Sequence, residues 1–333
     1  MIRVAVMGCG GMGQKRIQAL KTLERDGSSD GQGRQVKYIG VSDEARYLDY
    51  ESLDEILLDK PDWIIVCLPH DVAVDVAGQA LGEGVNVFME KPMGRNVAEA
   101  EMLDAAARIQ EHQLRVGMNY RFYPGVVALM KDLKSGYFGD LISVEMTLGH
   151  GGKPGDEKTW KLDPKRNGGA LLDPGIHLLD LVLQITPEIT KHFHATSKHA
   201  VWLTGIAEED TAVIAGERGA VFTLTSSVVR WRNTFRIQVN GTDGYGIVER
   251  RGGNYGPQSY RRGKRWGWQN SGSHWPEDWV VRQANCESVF ADELRELFFP
   301  SGKEPHVCTS VEALETMKLY DRLATIGECE TKS

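Results

Sequence analysis

Residues Met1-Ile2-Arg3-Val4-Ala5-Val6-Met7-Gly8-Cys9-Gly10-Gly11-Met12-Gly13 decide the fold. Ile2 to Met7 is an apolar run broken only by Arg3, which predicts a strand. The glycines that follow satisfy G-x-G-x-x-G. Gln14 to Glu24 then reads as a helix with Ile17, Leu20 and Leu23 on one face. Strand, glycine turn and helix are the context this motif requires. The first glycine permits a tight turn and the second lets the backbone approach a pyrophosphate. The third lets the helix pack close to the strand, so that its free N–H groups and positive dipole end face phosphate. The alternative is a flexible glycine turn that merely joins a strand to a helix.

At 333 residues the chain suggests two domains. A net charge of −7 argues against a general nucleic-acid binder. The cysteines at 9, 67, 286, 308 and 329 show no paired metal spacing, which suits reduced thiols in the cytoplasm. Residue 1 enters a strand with no basic leader, and no apolar run has the length of a membrane span. A cytoplasmic protein without membrane or nucleic-acid partners is expected.

Gly27 to Gln35 is a surface loop by composition, and Val36 to Val41 is a second strand. Asp43 falls just past its end, where an acid accepts hydrogen bonds from adenosine ribose hydroxyls and favours NAD over NADP. It also reads as an ordinary turn residue, and nearby Arg46 could instead hold a 2′-phosphate. Trp63 to Leu68, Val85 to Met89 and Leu114 to Gly117 are further apolar strands, with helices over Val72 to Leu81 and Ala98 to Ile109. Continuous apolar strands alternating with helices predict a doubly wound parallel sheet buried on both faces. Gly8, Asp43, Pro69 and Lys91 all fall at carboxyl strand ends, where such sheets bind ligands. Lys91 precedes Pro92, which restricts its backbone and hence the direction of its ammonium group.

Past residue 120 the pattern changes. Asp140 to Leu148, Thr190 to Ser197, Thr211 to Gly216, Ala220 to Val229 and Thr234 to Val239 read as strands with few helices between the later ones. A largely antiparallel sheet with one covered face is expected. One helix interrupts it, with Asp173 as N-cap, Pro174 at the first helical position, and His177 one turn on. On these residues alone, Asp173 and His177 are equally a cap with a structural histidine or an acid–base pair.

The glycine turn, Glu90-Lys91-Pro92, and Gly168-Gly169-Ala170-Leu171-Leu172-Asp173-Pro174-Gly175-Ile176-His177 occur in this order and spacing. Together with Val116-Gly117-Met118-Asn119-Tyr120-Arg121-Phe122-Tyr123-Pro124 and Trp160-Lys161-Leu162-Asp163-Pro164, they resemble the glucose–fructose oxidoreductase / inositol dehydrogenase / MocA (Gfo/Idh/MocA) oxidoreductases. The resemblance is close to about residue 184 and looser beyond. It implies an α/β fold: an N-terminal Rossmann domain over 1–120, and an α+β domain over 121–308 with a large, mostly antiparallel sheet. A final helix over 309–328 would pack back onto the first domain. It implies an NAD(P)-dependent dehydrogenase acting on a sugar or cyclitol, assembled as a homodimer or homotetramer through the second sheet. A cofactor-binding sensor without turnover, and a lyase or hydrolase working through a transient ketone on bound NAD, are the other classes. Cofactor contacts are implied for Gly8, Gly10, Gly11, Met12, Gly13, Asp43, Leu68, Pro69, His70, Glu90, Lys91 and Asn119. Substrate contacts are implied for Lys91, Tyr120, Arg121, Trp160, Arg166, Asp173 and His177. Of these, His177 would take the hydroxyl proton, Lys91 would polarise the same oxygen, and Asp173 would bind a neighbouring hydroxyl or orient His177.

The chain departs from the family's P-N-x-x-H pattern at Pro69-His70-Asp71-Val72-Ala73, where Ala73 stands in the usual histidine position. Between Asp43 and Leu53 there is too little chain for the usual helix. Arg250, Arg251, Arg261, Arg262, Lys264 and Arg265 cluster near Glu249 alone. They read as a solvated loop, a dimer contact, or a site for a phosphate or carboxylate on the substrate. Trp266, Trp268, Trp275 and Trp279 read as packing or interface residues, and as possible platforms for sugar faces. His192 and His194 alternate on one strand with no third ligand nearby, so no metal site is expected.

Overall fold

A computed structural model describes residues 1–42, 49–270, 276–302 and 306–331. Asp43, Arg46 and Trp275 lie outside the described residues, as do the side chains of His192, His194 and Trp268. In chain order the first elements are β1 (Ile2–Met7), α1 (Gly11–Arg25), β2 (Val36–Ser42) and α2 (Leu53–Leu58). They are followed by β3 (Trp63–Val66), α3 (His70–Gly82), β4 (Asn86–Glu90), α4 (Val97–Ile109) and β5 (Leu114–Gly117). Next come α5 (Pro124–Lys134), β6 (Leu141–Gly149), α6 (Ile176–Ile185), β7 (Ile189–Lys198), β8 (Glu209–Gly216) and β9 (Val221–Ser227). The chain continues through β10 (Thr234–Gly241), β11 (Gly244–Glu249), β12 (Gln258–Lys264) and β13 (Asp278–Ala284). It closes with α7 (Val289–Phe298), β14 (Cys308–Thr309) and α8 (Ser310–Thr331).

These elements form two compact units, Met1–Asn119 with Ser288–Lys318, and Tyr120–Glu287 with Leu319–Ser333. The first holds a six-stranded sheet in the order β14-β5-β4-β3-β1-β2. Its pairings are parallel except for the two-residue edge strand β14. All four residues of β3 are buried, as are Val87, Phe88 and Met89 of β4, because both faces of the sheet are covered. Ser52 and Asn96 cap α2 and α4 by accepting from the amides of Glu55 and Glu99. Residues 288–308, expected with the second domain, belong to this first unit. The buried face of α7, with Val289, Leu294 and Phe298, packs beside α1, and β14 adds to β5.

The second unit holds an eight-stranded sheet in the order β13-β12-β11-β10-β6-β9-β8-β7. Only β6 and β9 pair parallel. Buried positions alternate along β8 and β10, as a sheet with one covered face requires. Beyond the expected strands the structure adds β11, β12 and β13. In β12 the buried positions are Gln258, Tyr260 and Gly263, so a polar side chain and a glycine obscure the alternation. In β13 every residue is exposed or half-exposed. A chain-order reading has no strong apolar signal to find in either.

Candidate active site

In the first unit the three motif glycines do different work. Gly8 has φ +92°, and a Cβ there would sit 2.5 Å from the Cys67 carbonyl oxygen. Gly13 is buried in α1, and a Cβ there would lie 1.9 Å from the Gly8 carbonyl oxygen, so only glycine lets helix and turn touch. Gly10 and Gly11 are exposed, and a Cβ on either meets no protein atom within 4 Å. Gly10 caps α1 with extended backbone, and no acidic residue occupies the helix's first turn. The leading amides of α1, including that of half-buried Met12, therefore face open space at the positive end of a 15-residue helix. This cradle fits the pyrophosphate of a dinucleotide.

The other expected cofactor residues gather at the same end of the sheet. Leu68 and Pro69 follow β3 and are half-buried, and buried His70 opens α3 with Pro69 as its N-cap. Glu90 ends β4 and Lys91 follows, joined to Pro92 by a cis peptide bond. Buried Asn119 follows β5.

Beneath Glu90 lies a group the sequence reading missed. Arg16, on the buried face of α1, is fully enclosed. Its Nε donates to Glu90 Oε1 at 2.7 Å, and its Nη1 stands 2.7 Å from Glu293 Oε2 of α7. The Phe88 and Phe290 rings lie 4.6 and 5.0 Å from its Cζ. Burial opposes the charge, but Glu90 and Glu293 outweigh it and hold the guanidinium above its ordinary range. Gly117 faces Glu90 in the sheet, and a Cβ there would come within 2.9 Å of Arg16 Nη2. The signal was present: Arg16 stands in the apolar stripe Gly13, Arg16, Leu20, Leu23, where a charge is buried only if paired.

In the second unit, Tyr120 and His177 come together. Their rings stack at 4.0 Å with an interplanar angle of 24°, and both residues are buried. Phe235 and Tyr123 pack edge-on against Tyr120 at 5.2 and 5.1 Å. Burial pushes the Tyr120 phenol well above its usual range despite the nearby Arg251, so it stays protonated near neutrality.

The N-cap expected at Asp173 is corrected. The helix α6 begins at Ile176 with Gly175 as its cap, so His177 is its second residue. Asp173 lies in the preceding turns, where its amide donates to Gly169 O and the Gly175 amide to Ala170 O. A residue ahead of proline is disfavoured from helical space, which keeps Asp173 outside the helix. It is half-buried four positions before His177.

Arg121 sits in a buried ion pair, its Nε donating to Asp180 Oδ2 at 2.9 Å, and so it anchors α6. Trp160 and Arg166 are half-buried on the turn-rich segment before α6, with Trp160 opening a short 3₁₀ turn. The basic cluster is mostly neutralised. Arg261 meets Glu249 at 2.5 Å and Glu277 at 3.2 Å, and Arg262 meets Asp132 and, at 3.9 Å, Asp278. Lys264 Nζ donates to Tyr137 O at 2.6 Å, and Arg265 lies 4.0 Å from Asp243. Trp266 and Trp279 are exposed, the latter beneath Arg261 and Arg282. Among the described residues no group of three or more His, Cys, Asp or Glu side chains could hold a metal, and no helix is long and apolar enough to cross a membrane.

A glycine cradle at a helix N-terminus on a doubly wound sheet defines an NAD-binding Rossmann oxidoreductase, and residues 2–118 match the family model described as "Oxidoreductase family, NAD-binding Rossmann fold". Residues 126–246 match the GFO/IDH/MocA C-terminal domain, and the chain belongs to the Gfo/Idh/MocA family. The glucose-6-phosphate 3-dehydrogenase of Bacillus subtilis is 26% identical over 233 residues, covering 67% of this chain and 64% of that protein. The rhizopine catabolism protein MocA of Rhizobium meliloti is 29% identical over 153 residues, covering 44% of each chain. The chain thus spans less than two thirds of the length of these curated relatives. UDP-N-acetylglucosamine 3-dehydrogenase GnnA from Acidithiobacillus ferrooxidans shares the fold at TM-score 0.76 and 22% identity, covering 98% of both chains. A levoglucosan dehydrogenase in complex with NADH and L-sorbose aligns at TM-score 0.83 and 15% identity, covering 99% of this chain and 97% of that one.

Proposed function

We propose that the protein is an NAD(P)-dependent dehydrogenase that interconverts a hydroxyl and a ketone on a sugar or cyclitol. The observation that carries this reading is a family NAD-binding cradle in a chain that also keeps Lys91, Asp173 and His177. A pure sensor needs none of these three. The bound nicotinamide supplies the hydride acceptor. The protein's own groups must manage the proton, because a hydroxyl that loses hydride must also lose its proton. His177 takes it. Its imidazole is held in one plane by the Tyr120 ring at 4.0 Å and by its place at the start of α6. Lys91 polarises the same oxygen, and Asp173 binds a neighbouring hydroxyl or orients His177. Tyr120 serves as a protonated support and not as the base, since burial holds its proton on. The cofactor contacts are Gly10, Gly11 and Met12 at the pyrophosphate, with Leu68, Pro69, His70, Glu90, Lys91 and Asn119 along the strand ends. Preference for NAD rests on Asp43. Assembly through the second sheet is supported by exposed apolar groups on its strands, among them Ile142, Val221 and Val280. A cytoplasmic setting is supported by cysteines 9, 67, 286 and 308, which form no disulfide among the described residues.

The test is a panel of sugars, cyclitols and sugar acids followed by nicotinamide absorbance, repeated with His177→Ala. Turnover on the active substrate should fall about 10²- to 10⁴-fold, the usual worth of a positioned general base, with cofactor affinity nearly unchanged. Near-normal turnover in that variant would return His177 to a structural role.

A further inference from the structure

Arg251 differs from its neighbours in the basic segment. Arg261 and Arg262 have carboxylates, whereas Arg251 has none within ion-pair reach among the described residues. Yet it is not a solvated surface charge. Its Nε is buried with no acceptor, and its Cζ lies 3.9 Å from the centre of the Tyr255 ring and 5.5 Å from that of Tyr120. Its Nη1 donates to Tyr123 Oη at 3.3 Å, and the Tyr255 side chain is a second polar neighbour. A guanidinium carries five N–H donors, and here the buried Nε–H is left without an acceptor. Aromatic faces offset part of the cost of burying a cation but supply no acceptor for those donors.

The backbone presents this group deliberately. Arg250 has φ +67°, a left-handed conformation unfavourable for a side chain with a Cβ, and Gly252, Gly253 and Gly256 also have positive φ. The turn is tied by the Gly252 amide to Gly256 O and the Tyr255 amide to Gly252 O. The Arg250 amide donates to Phe235 O, and buried Gln258 Nε2 donates to Arg250 O. A strained turn pinned at both ends holds Arg251 against Tyr120, whose ring stacks on His177. Tyr120 thus contacts both groups, with Arg251 Cζ 5.5 Å from its ring centre and the His177 ring stacked on it at 4.0 Å.

We propose that Arg251 receives an oxyanion on the substrate, so that the sugar oxidised at His177 carries a phosphate or a carboxylate. This rests on the dehydrogenase reading above. A planar guanidinium fork matches both oxyanions with paired, charge-assisted hydrogen bonds. Arg251 would then keep its charge available in the free protein because the partner arrives with the substrate.

The test is calorimetric titration of the NADH-loaded protein with glucose, glucose 6-phosphate, glucuronate and inorganic phosphate. Glucose 6-phosphate or glucuronate should bind where glucose does not, and which of the two binds decides between phosphate and carboxylate. Inorganic phosphate should compete with whichever charged sugar binds. Arg251→Met should weaken the anion about 10- to 100-fold, the range for hydrogen bonds to a charged group. Arg251→Lys, which keeps charge without the fork, should fall between. Should the methionine variant not fold, the lysine variant and thermal protection of the native protein by each anion carry the test. Equal binding of glucose and its charged forms, absence of binding by every anion, or unchanged affinity in the folded Arg251 variants overturns the proposal. His177→Ala should cut NAD reduction about 10²- to 10⁴-fold while inorganic phosphate still binds. Anion binding without NAD reduction by any sugar would therefore sink the dehydrogenase reading while sparing the anion site.

Discussion

Two glycines three residues apart should answer an added side chain in opposite ways. At Gly10 φ is −61°, and an added side chain meets no protein atom within 4 Å. Gly10→Val therefore costs the fold only the difference in capping preference, about 1 kcal/mol, or about 2–4 °C in melting temperature. Its methyl groups instead fill the space where a pyrophosphate would approach the leading amides of α1. Losing about two hydrogen bonds to a charged group, at roughly 1.5–3 kcal/mol each, predicts about 10²- to 10⁴-fold weaker NADH binding. Gly13→Ala is the reverse. Its Cβ would lie 1.9 Å from Gly8 O, so α1 must move off the β1 turn. Overpacking of this kind costs about 1–3 kcal/mol or more, and the melting temperature should fall further than for Gly10→Val. The assay is NADH fluorescence titration beside thermal melts with and without NADH. Wild-type NADH affinity in Gly10→Val would refute the assignment of this turn as the pyrophosphate cradle.

Two further perturbations test what holds each unit together. Arg16→Met leaves Glu90 and Glu293 without their shared cation, and breaking a buried pair costs about 3–5 kcal/mol. Thermal melts should show the loss, and adding Glu293→Gln should recover part of it. In the second unit Glu208 is buried, and its two oxygens accept from the amides of Ala200, Val201, Trp202 and Leu203 at 2.6–3.0 Å. Burial opposes its charge, yet these four donors hold its carboxyl below the ordinary value of 4.5. A depressed carboxylate stabilises the fold fully above pH 4.5 and loses that contribution as pH falls through the folded-state value. Glu208→Gln should lower the melting temperature at neutral pH and should lack this part of the acid-induced decline, measured by melts across a pH series.

The first unit was legible because its signals are local. Gly8, Gly10 and Gly13 announce the turn, and all-apolar strands such as Trp63–Val66 announce a sheet covered on both faces. What escaped depends on the chain returning from far away. Nothing near residue 293 says that its carboxylate belongs beside Arg16, so the sequence order groups α7 with the second domain while its contacts group it with the first unit. In the second unit β12 escaped because it buries Gln258, whose side chain accepts from the Gly125 amide and donates to Arg250 O. A buried polar residue with long-range partners looks like a loop residue in sequence. Asp173 looked like an N-cap because Asp-Pro followed by an apolar stripe is the usual helix start. Turns closed by Gly169 O and Ala170 O delay that start by two residues.

Buried Arg16 and Arg121 and half-buried Arg251 differ in what surrounds them. Arg16 stands between two carboxylates, Arg121 lies against one, and Arg251 has none among the described residues. Desolvating a guanidinium is expensive, and a carboxylate placed within hydrogen-bond reach offsets much of that cost in the folded chain itself. Arg16 and Arg121 meet that condition and act within the protein, the first beneath the Glu90–Lys91 strand end, the second at the root of α6. Arg251 does not meet it. A strained turn and three tyrosines hold its charge in place beside the ring that backs His177. A fold that needed only packing there would be served as well by an apolar side chain of similar volume, because replacing a buried charge by a hydrophobic residue is often neutral or stabilising. The retained cation is therefore more consistent with a partner that comes and goes than with a role in holding the second unit together.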